Sequence, residues 1–223
     1  MKHFFCFFFL LLLSLTSAHA ERRVALVIGN SGYANVAELK NPYNDAKGMS
    51  DKLTDLGFDV VTGLDLSLRD MRQTVREFIK KLDNADLALF FYAGHGIQVN
   101  GENYLVPVDA ELSTHLDLDF EALPANLVLN AMEQSTKVNL VFLDACRNNP
   151  FVSIPDLSDN GLAEMKAPRG TFLSYSTAPG DIALDGIGGN SPFTEALARH
   201  MPTPGMPVET LFKAVRVDVL KET

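Results

Sequence analysis

Two residues in this chain are of types that act together in nucleophilic catalysis, and each stands at the end of an apolar run. Cys146 follows Val138-Asn139-Leu140-Val141-Phe142-Leu143-Asp144-Ala145, and His95 lies between Gly94 and Gly96 after Asp86-Leu87-Ala88-Leu89-Phe90-Phe91-Tyr92. Positions 95 and 146 are 51 apart. A thiolate attacks a carbonyl, and a histidine beside it lowers the thiol pKa and later protonates the leaving amine. Read alone, a cysteine is a small buried hydrophobe and a histidine between glycines is a turn residue. What sets this pair apart is placement, because parallel strands put their carboxyl ends on one edge of a sheet, where ligands bind in open α/β folds.

The elements that must position the pair follow from the pattern. Arg23 to Gly29 is a continuous apolar run, suited to a strand buried on both faces. Leu39 to Leu56 has helical spacing and stops before Gly57; Phe58 to Val61 reads as a second strand and Asp65 to Leu82 as a second amphipathic helix. The next strand leads to His95, so the order is β-α-β-α-β, which implies parallel strands with right-handed crossovers. Ile97 to Val108 predicts a hairpin turning at Asn100-Gly101, and Phe120 to Gln134 a helix entering the cysteine strand. Val152 to Arg169 has loop composition. Gly170 to Thr177 reads as a strand, then Pro192 to His200 and Pro207 to Lys221 as helices, the last still amphipathic where the sequence stops at Thr223, as in a chain that continues.

The first 20 residues read differently. Lys2 and His3 precede an apolar run, Phe4 to Leu13, and Ala18-His19-Ala20 follows, the pattern of a secretory signal peptide cleaved after Ala20. The alternative, a membrane anchor, needs about 20 apolar residues. The expectation is an exported protein, periplasmic or extracellular, with no stable membrane anchor after removal of the signal. Cys6 leaves with it, and Cys146 becomes the single thiol of a chain in a compartment where cysteines are usually paired or absent. Cleavage removes one of the 19 basic residues and none of the 28 acidic ones. The acidic balance argues against nucleic acid and anionic membranes as partners; it suits cationic substrates, or serves solubility alone.

Tyr92-Ala93-Gly94-His95-Gly96 together with Asp144-Ala145-Cys146-Arg147-Asn148 resembles the caspase-like cysteine peptidases of clan CD, family C14, in the bacterial orthocaspase branch near metacaspases and paracaspases. Asp-Ala-Cys stands where true caspases have Gln-Ala-Cys, and the histidine lies about 50 residues upstream, as it does there. Gly29-Asn30, Asn44-Asp45 and Ser174 to Gly180 extend the resemblance, which runs from about Arg23 to the chain end.

The resemblance implies an α/β, caspase-haemoglobinase-like three-layer sandwich, with a mostly parallel central sheet of about six strands and helices on both faces. It divides the mature chain into a p20-like core to about residue 155, a loop over 156–169 and a p10-like part over 170–223. It implies Cys146 as nucleophile, His95 as its partner, an oxyanion site from the backbone N–H groups of Gly96 and Cys146, and an acidic S1 pocket from Asp45 and Asp144. Two carboxylates would hold a guanidinium and exclude an acidic P1 side chain, so the expected partner is a peptide or protein with Arg or Lys at P1. The bland readings are a helix-terminal charge for Asp45 and a strand-end residue for Asp144.

A basic P1 makes Lys166 and Arg169 candidate self-cleavage sites. No third catalytic residue is evident, and no cofactor is expected. Many metacaspases are activated by calcium, but no oxygen-ligand loop of recognisable spacing is present, so no metal ligands are assigned and calcium stays open. Oligomeric state is not defined by these motifs. A catalytically silent caspase-like scaffold is the rival reading; a serine hydrolase is disfavoured because the chain has no G-x-S-x-G elbow.

Overall fold

The apolar run Val24-Ala25-Leu26-Val27-Ile28 has every side chain buried, and alternate residues serve different cores. In the computed structural model, which describes residues 21–145, 149–155, 157, 161–177, 186 and 188–223, Val24, Leu26 and Ile28 point into one cluster and Ala25 and Val27 into another. A strand covered on both faces needs this unbroken hydrophobicity, since each face takes every second residue.

The elements in chain order are β1 (Arg23–Gly29), α1 (Pro42–Asp55), β2 (Asp59–Leu64), α2 (Leu68–Lys81), β3 (Leu87–Ala93), β4 (Gly96–Val99), β5 (Glu102–Leu105), a 3-10 turn, α3 (Leu118–Glu121), β6 (Leu123–Pro124), α4 (Ala125–Ser135), β7 (Val138–Asp144), β8 (Thr171–Tyr175), α5 (Pro192–His200) and α6 (Val208–Glu222). Five of the strands form a parallel sheet in the order β2-β1-β3-β7-β8. Among the described residues the sheet thus has five strands against the about six expected, and the chain has the α/β, three-layer architecture anticipated from it.

The two faces are filled by different helices. Met71, Val75 and Phe78 of α2 and Val128, Leu129 and Met132 of α4 pack with Phe90, Tyr92, Val141 and Leu143. On the other face Ala46, Met49 and Leu53 of α1, Phe193 and Leu197 of α5, and Leu211 and Val215 of α6 pack with Leu89, Phe91 and Phe142. Truncating one of these large buried side chains to Ala costs about 2–5 kcal/mol. A smaller antiparallel sheet, β4-β5-β6, lies beyond the end of β3.

Local chemistry sets the boundaries. The second helix starts three residues later than the pattern predicts, because Ser67 caps it: its hydroxyl accepts from Asp70 N–H. The first begins at Pro42, whose ring suits a first turn. At the tip of the hairpin Asn100 and Gly101 have φ values of 52° and 80°, the left-handed pair that a two-residue turn of twisted strands needs. The single helix expected over Phe120 to Gln134 is instead α3, the extended pair Leu123–Pro124 and α4. Pro124 cannot continue a helix and forces Leu123 into the extended region, where both residues pair with β5.

Candidate active site

Strand register brings the two chemistry-bearing segments together. β3 and β7 are neighbours, with Ala93 paired to Asp144, so His95 and Cys146 each lie two residues beyond a matched pair. Gly94 N–H donates to the Asp144 carbonyl at 3.3 Å, continuing the contact past the strand ends. Cys146, Arg147 and Asn148 lie outside the described residues, and so does the cysteine's part in the expected oxyanion site. The residue before it is fixed: a Cβ placed on Gly96 would come within 2.9 Å of the Ala145 carbonyl oxygen and 2.9 Å of Leu162 Cδ2. Only glycine allows the segment after His95 to pack this closely on the segment before Cys146.

His95 is buried and held at five points. Its Nε2 lies 2.9 Å from the carbonyl oxygen of Ala37. A carbonyl only accepts, so Nε2 carries a proton and, in the neutral ring, Nδ1 carries the lone pair. The main-chain N–H donates to Tyr33 Oη at 2.7 Å, and the main-chain carbonyl accepts from Tyr92 Oη at 2.8 Å and from Val106 N–H at 3.1 Å. The Tyr33 ring packs on the imidazole, 4.5 Å between centroids at a tilt of 53°. Burial, and then the neighbouring Tyr33, push the Tyr92 phenol well above its ordinary pKa, so it remains a donor. Tyr92 belongs to the motif but was given no role there, and Ala37 and Tyr33 lie outside it. Ala37 bonds the imidazole through a backbone carbonyl, which no residue type advertises.

Asp45 and Asp144 are also brought together, although they lie far apart in the chain. Asp45 is in the first turn of α1 and Asp144 ends β7; both have no exposed surface. Ser191, which caps α5, joins them. Its main-chain N–H donates to Asp45 Oδ1 at 2.9 Å, and its hydroxyl donates to Asp144 Oδ2 while accepting from Thr194 N–H at 3.0 Å. Thr194 Oγ1 donates to the same Asp144 oxygen at 3.1 Å. Buried carboxylates are costly unless hydrogen-bonded, and here the donors come from the N-terminal end of a helix, whose dipole favours negative charge.

The match to known proteins settles the relationship. The model of the caspase domain family matches residues 22–223. The chain belongs to the caspase family. It is 34% identical over 169 residues to the mucosa-associated lymphoid tissue lymphoma translocation protein 1 of Homo sapiens, covering 74% of this chain and 20% of that protein. Caspase-1 of Felis catus is 25% identical over 169 residues, covering 74% of this chain and 40% of the cat protein. Cell death protein 3 of Caenorhabditis remanei is 27% identical over 153 residues, 67% of this chain and 28% of that protein. The chain thus spans less than half the length of each of these relatives.

Lys166 and Arg169 are exposed, on the segment that leads into β8. Just upstream that segment is clamped: Leu162 is buried, Ala163 exchanges two hydrogen bonds with the Asn103 side chain at 2.7 and 2.8 Å, and Met165 N–H donates to Tyr175 Oη at 2.9 Å. Among the described residues no cluster of three His, Cys, Asp or Glu could hold a metal ion, and no helix is long and apolar enough to cross a membrane.

Proposed function

We propose that this caspase-family domain is a cysteine endopeptidase that hydrolyses peptide bonds after Arg or Lys. The observation that carries the reading is the joint burial of Asp45, in the first turn of α1, and Asp144, at the strand end two residues before Cys146, linked through Ser191. Away from water, charge attraction to a guanidinium is stronger than at the surface, and a P1 aspartate would be repelled.

The steps use the chain's own groups and water. The Cys146 thiol gives its proton to His95 Nδ1 and, as thiolate, attacks the carbonyl carbon after the basic residue; the oxyanion is received by the N–H groups of Gly96 and Cys146. His95, its ring held by Ala37, gives a proton from Nδ1 to the leaving amine as the C–N bond breaks, leaving a thioester. Water then attacks the thioester; His95 takes its proton and returns one to the sulfur as the acid product leaves. The residues before Glu21 carry the pattern of a secretory signal, so the enzyme acts in the periplasm or outside the cell. Lys166 and Arg169 offer bonds for self-cleavage, exposed on the segment before β8.

The test is a fluorogenic peptide with Arg at P1, alongside covalent labelling of the thiol. Hydrolysis that is lost in Cys146→Ala is the expected result. Absence of both hydrolysis and labelling would mark a silent scaffold.

A further inference from the structure

The basic-P1 reading rests on two aspartates, but the structure draws a third residue into that site. We propose that Ser191 is the positioning residue of the P1 receptor, coupling Asp45 to Asp144 so that the two carboxylates act as one anionic unit. The inference rests on the basic-P1 reading and goes beyond it by assigning specificity to a residue that would not itself touch the substrate.

Three observations carry it. Ser191 serves one carboxylate with its main chain and the other with its side chain, through Asp45 Oδ1 and Asp144 Oδ2. It is fully buried, so both bonds are made away from water. Its hydroxyl also accepts from Thr194 N–H, which fixes the direction in which its proton points: the oxygen receives one hydrogen and gives its own to Asp144. Thr194 Oγ1 adds a second hydroxyl donor on the same oxygen of Asp144. An N-cap needs only an acceptor for the helix N–H. The two bonds to aspartates go beyond that need, and they join α1 and β7 through the start of α5.

A purely structural cap and a specificity device predict different results. Ser191→Gly retains the main-chain N–H to Asp45 and is among the mildest replacements at a helix cap, but removes the hydroxyl from Asp144. Ser191→Thr retains the hydroxyl. Turnover is compared on two peptides that differ only at P1, arginine against citrulline, with alkylation of Cys146 by iodoacetamide as a readout that does not use the P1 site. The loss of a hydrogen bond to a charged group predicts that Ser191→Gly lowers the arginine-to-citrulline ratio of kcat/KM by about tenfold or more, mainly through KM. Alkylation stays unchanged, Thr194→Val gives a smaller drop in the same direction, and Ser191→Thr restores the ratio.

Binding of the P1-arginine peptide to Cys146→Ala protein, with and without Ser191→Gly, gives the same comparison without turnover. If the parent prefers arginine and Ser191→Gly keeps that preference, or if alkylation and both substrates fall together, Ser191 is only a helix cap and the proposal fails. If the parent itself shows no preference for arginine over citrulline, the basic-P1 reading fails and takes this proposal with it.

Discussion

The two halves of the candidate site are held in opposite ways. His95 is held by groups from the first half of the chain, the Ala37 carbonyl, the hydroxyls of Tyr33 and Tyr92 and the amide of Val106, and each of these four partners is neutral. The acid pair is held by bonds to its carboxylates from Ser191 and Thr194, at the start of α5. If the proposed roles hold, the histidine is positioned by residues 33–106 alone, whereas the acid pair also needs the start of α5. The two functions can be broken separately.

The largest effect should come from the histidine half. His95→Ala should reduce kcat/KM on a P1-arginine peptide by roughly three orders of magnitude or more, because both thiolate formation and leaving-group protonation lose their group. It should do so equally for arginine and citrulline substrates. Asp144→Asn attacks the other half: a loss of about two orders of magnitude on the arginine peptide, with Cys146 alkylation retained, separates recognition from chemistry. A parallel fall of both readouts would merge the halves again.

Tyr33→Phe sharpens the same division on a smaller scale. The ring still packs on the imidazole, but the buried His95 N–H loses its acceptor, at a cost of about 1–3 kcal/mol. The expected result is about a tenfold drop in kcat with a shifted pH profile and an unchanged arginine-to-citrulline ratio. A changed ratio would show that the halves communicate.

The smallest effect concerns the support of α5 at its other end. Asp218 on α6 bonds His200, Lys221 and Arg199, and these partners, His200 first, hold its carboxyl below the usual range. Hydrogen bonds from Ser67 to Asp70, and from the Ser113 and Thr114 amides to Asp117, act in the same direction. A carboxyl depressed in the folded state stabilises it fully above the unfolded value of about 4, and that contribution shrinks progressively as pH falls from there through the lower folded value. Asp218→Asn should therefore lower stability to urea at pH 7, with most of the difference still present at pH 3 because the folded carboxyl titrates well below that. No difference at pH 7 would remove Asp218 from this role.

Much of the histidine half was legible in the sequence, because its signals are local. Apolar runs ending in Ala93-Gly94-His95-Gly96 and in Asp144-Ala145 announce buried strands and their tips, and parallel pairing follows from the β-α-β order. Asn100-Gly101 announced its turn. The single helix expected over Phe120 to Gln134 failed at Pro124, a breaker visible in the sequence but overridden there by the apolar pattern. What could not be read were partners without a chemical signature or without proximity. Ala37 contributes only a carbonyl, and the Tyr33 hydroxyl reaches the His95 N–H across 62 positions. Ser191 before Pro192 is recognisable as a helix start, but its bond to Asp45 spans 146 positions and exists only once α5 has packed beside α1.

A positional library varying P1 across all side chains tests the central claim most directly, run on the parent and on Cys146→Ala. The account predicts cleavage after Arg and Lys only, abolished in Cys146→Ala. Cleavage after Asp, or hydrolysis that survives loss of the thiol, would contradict it.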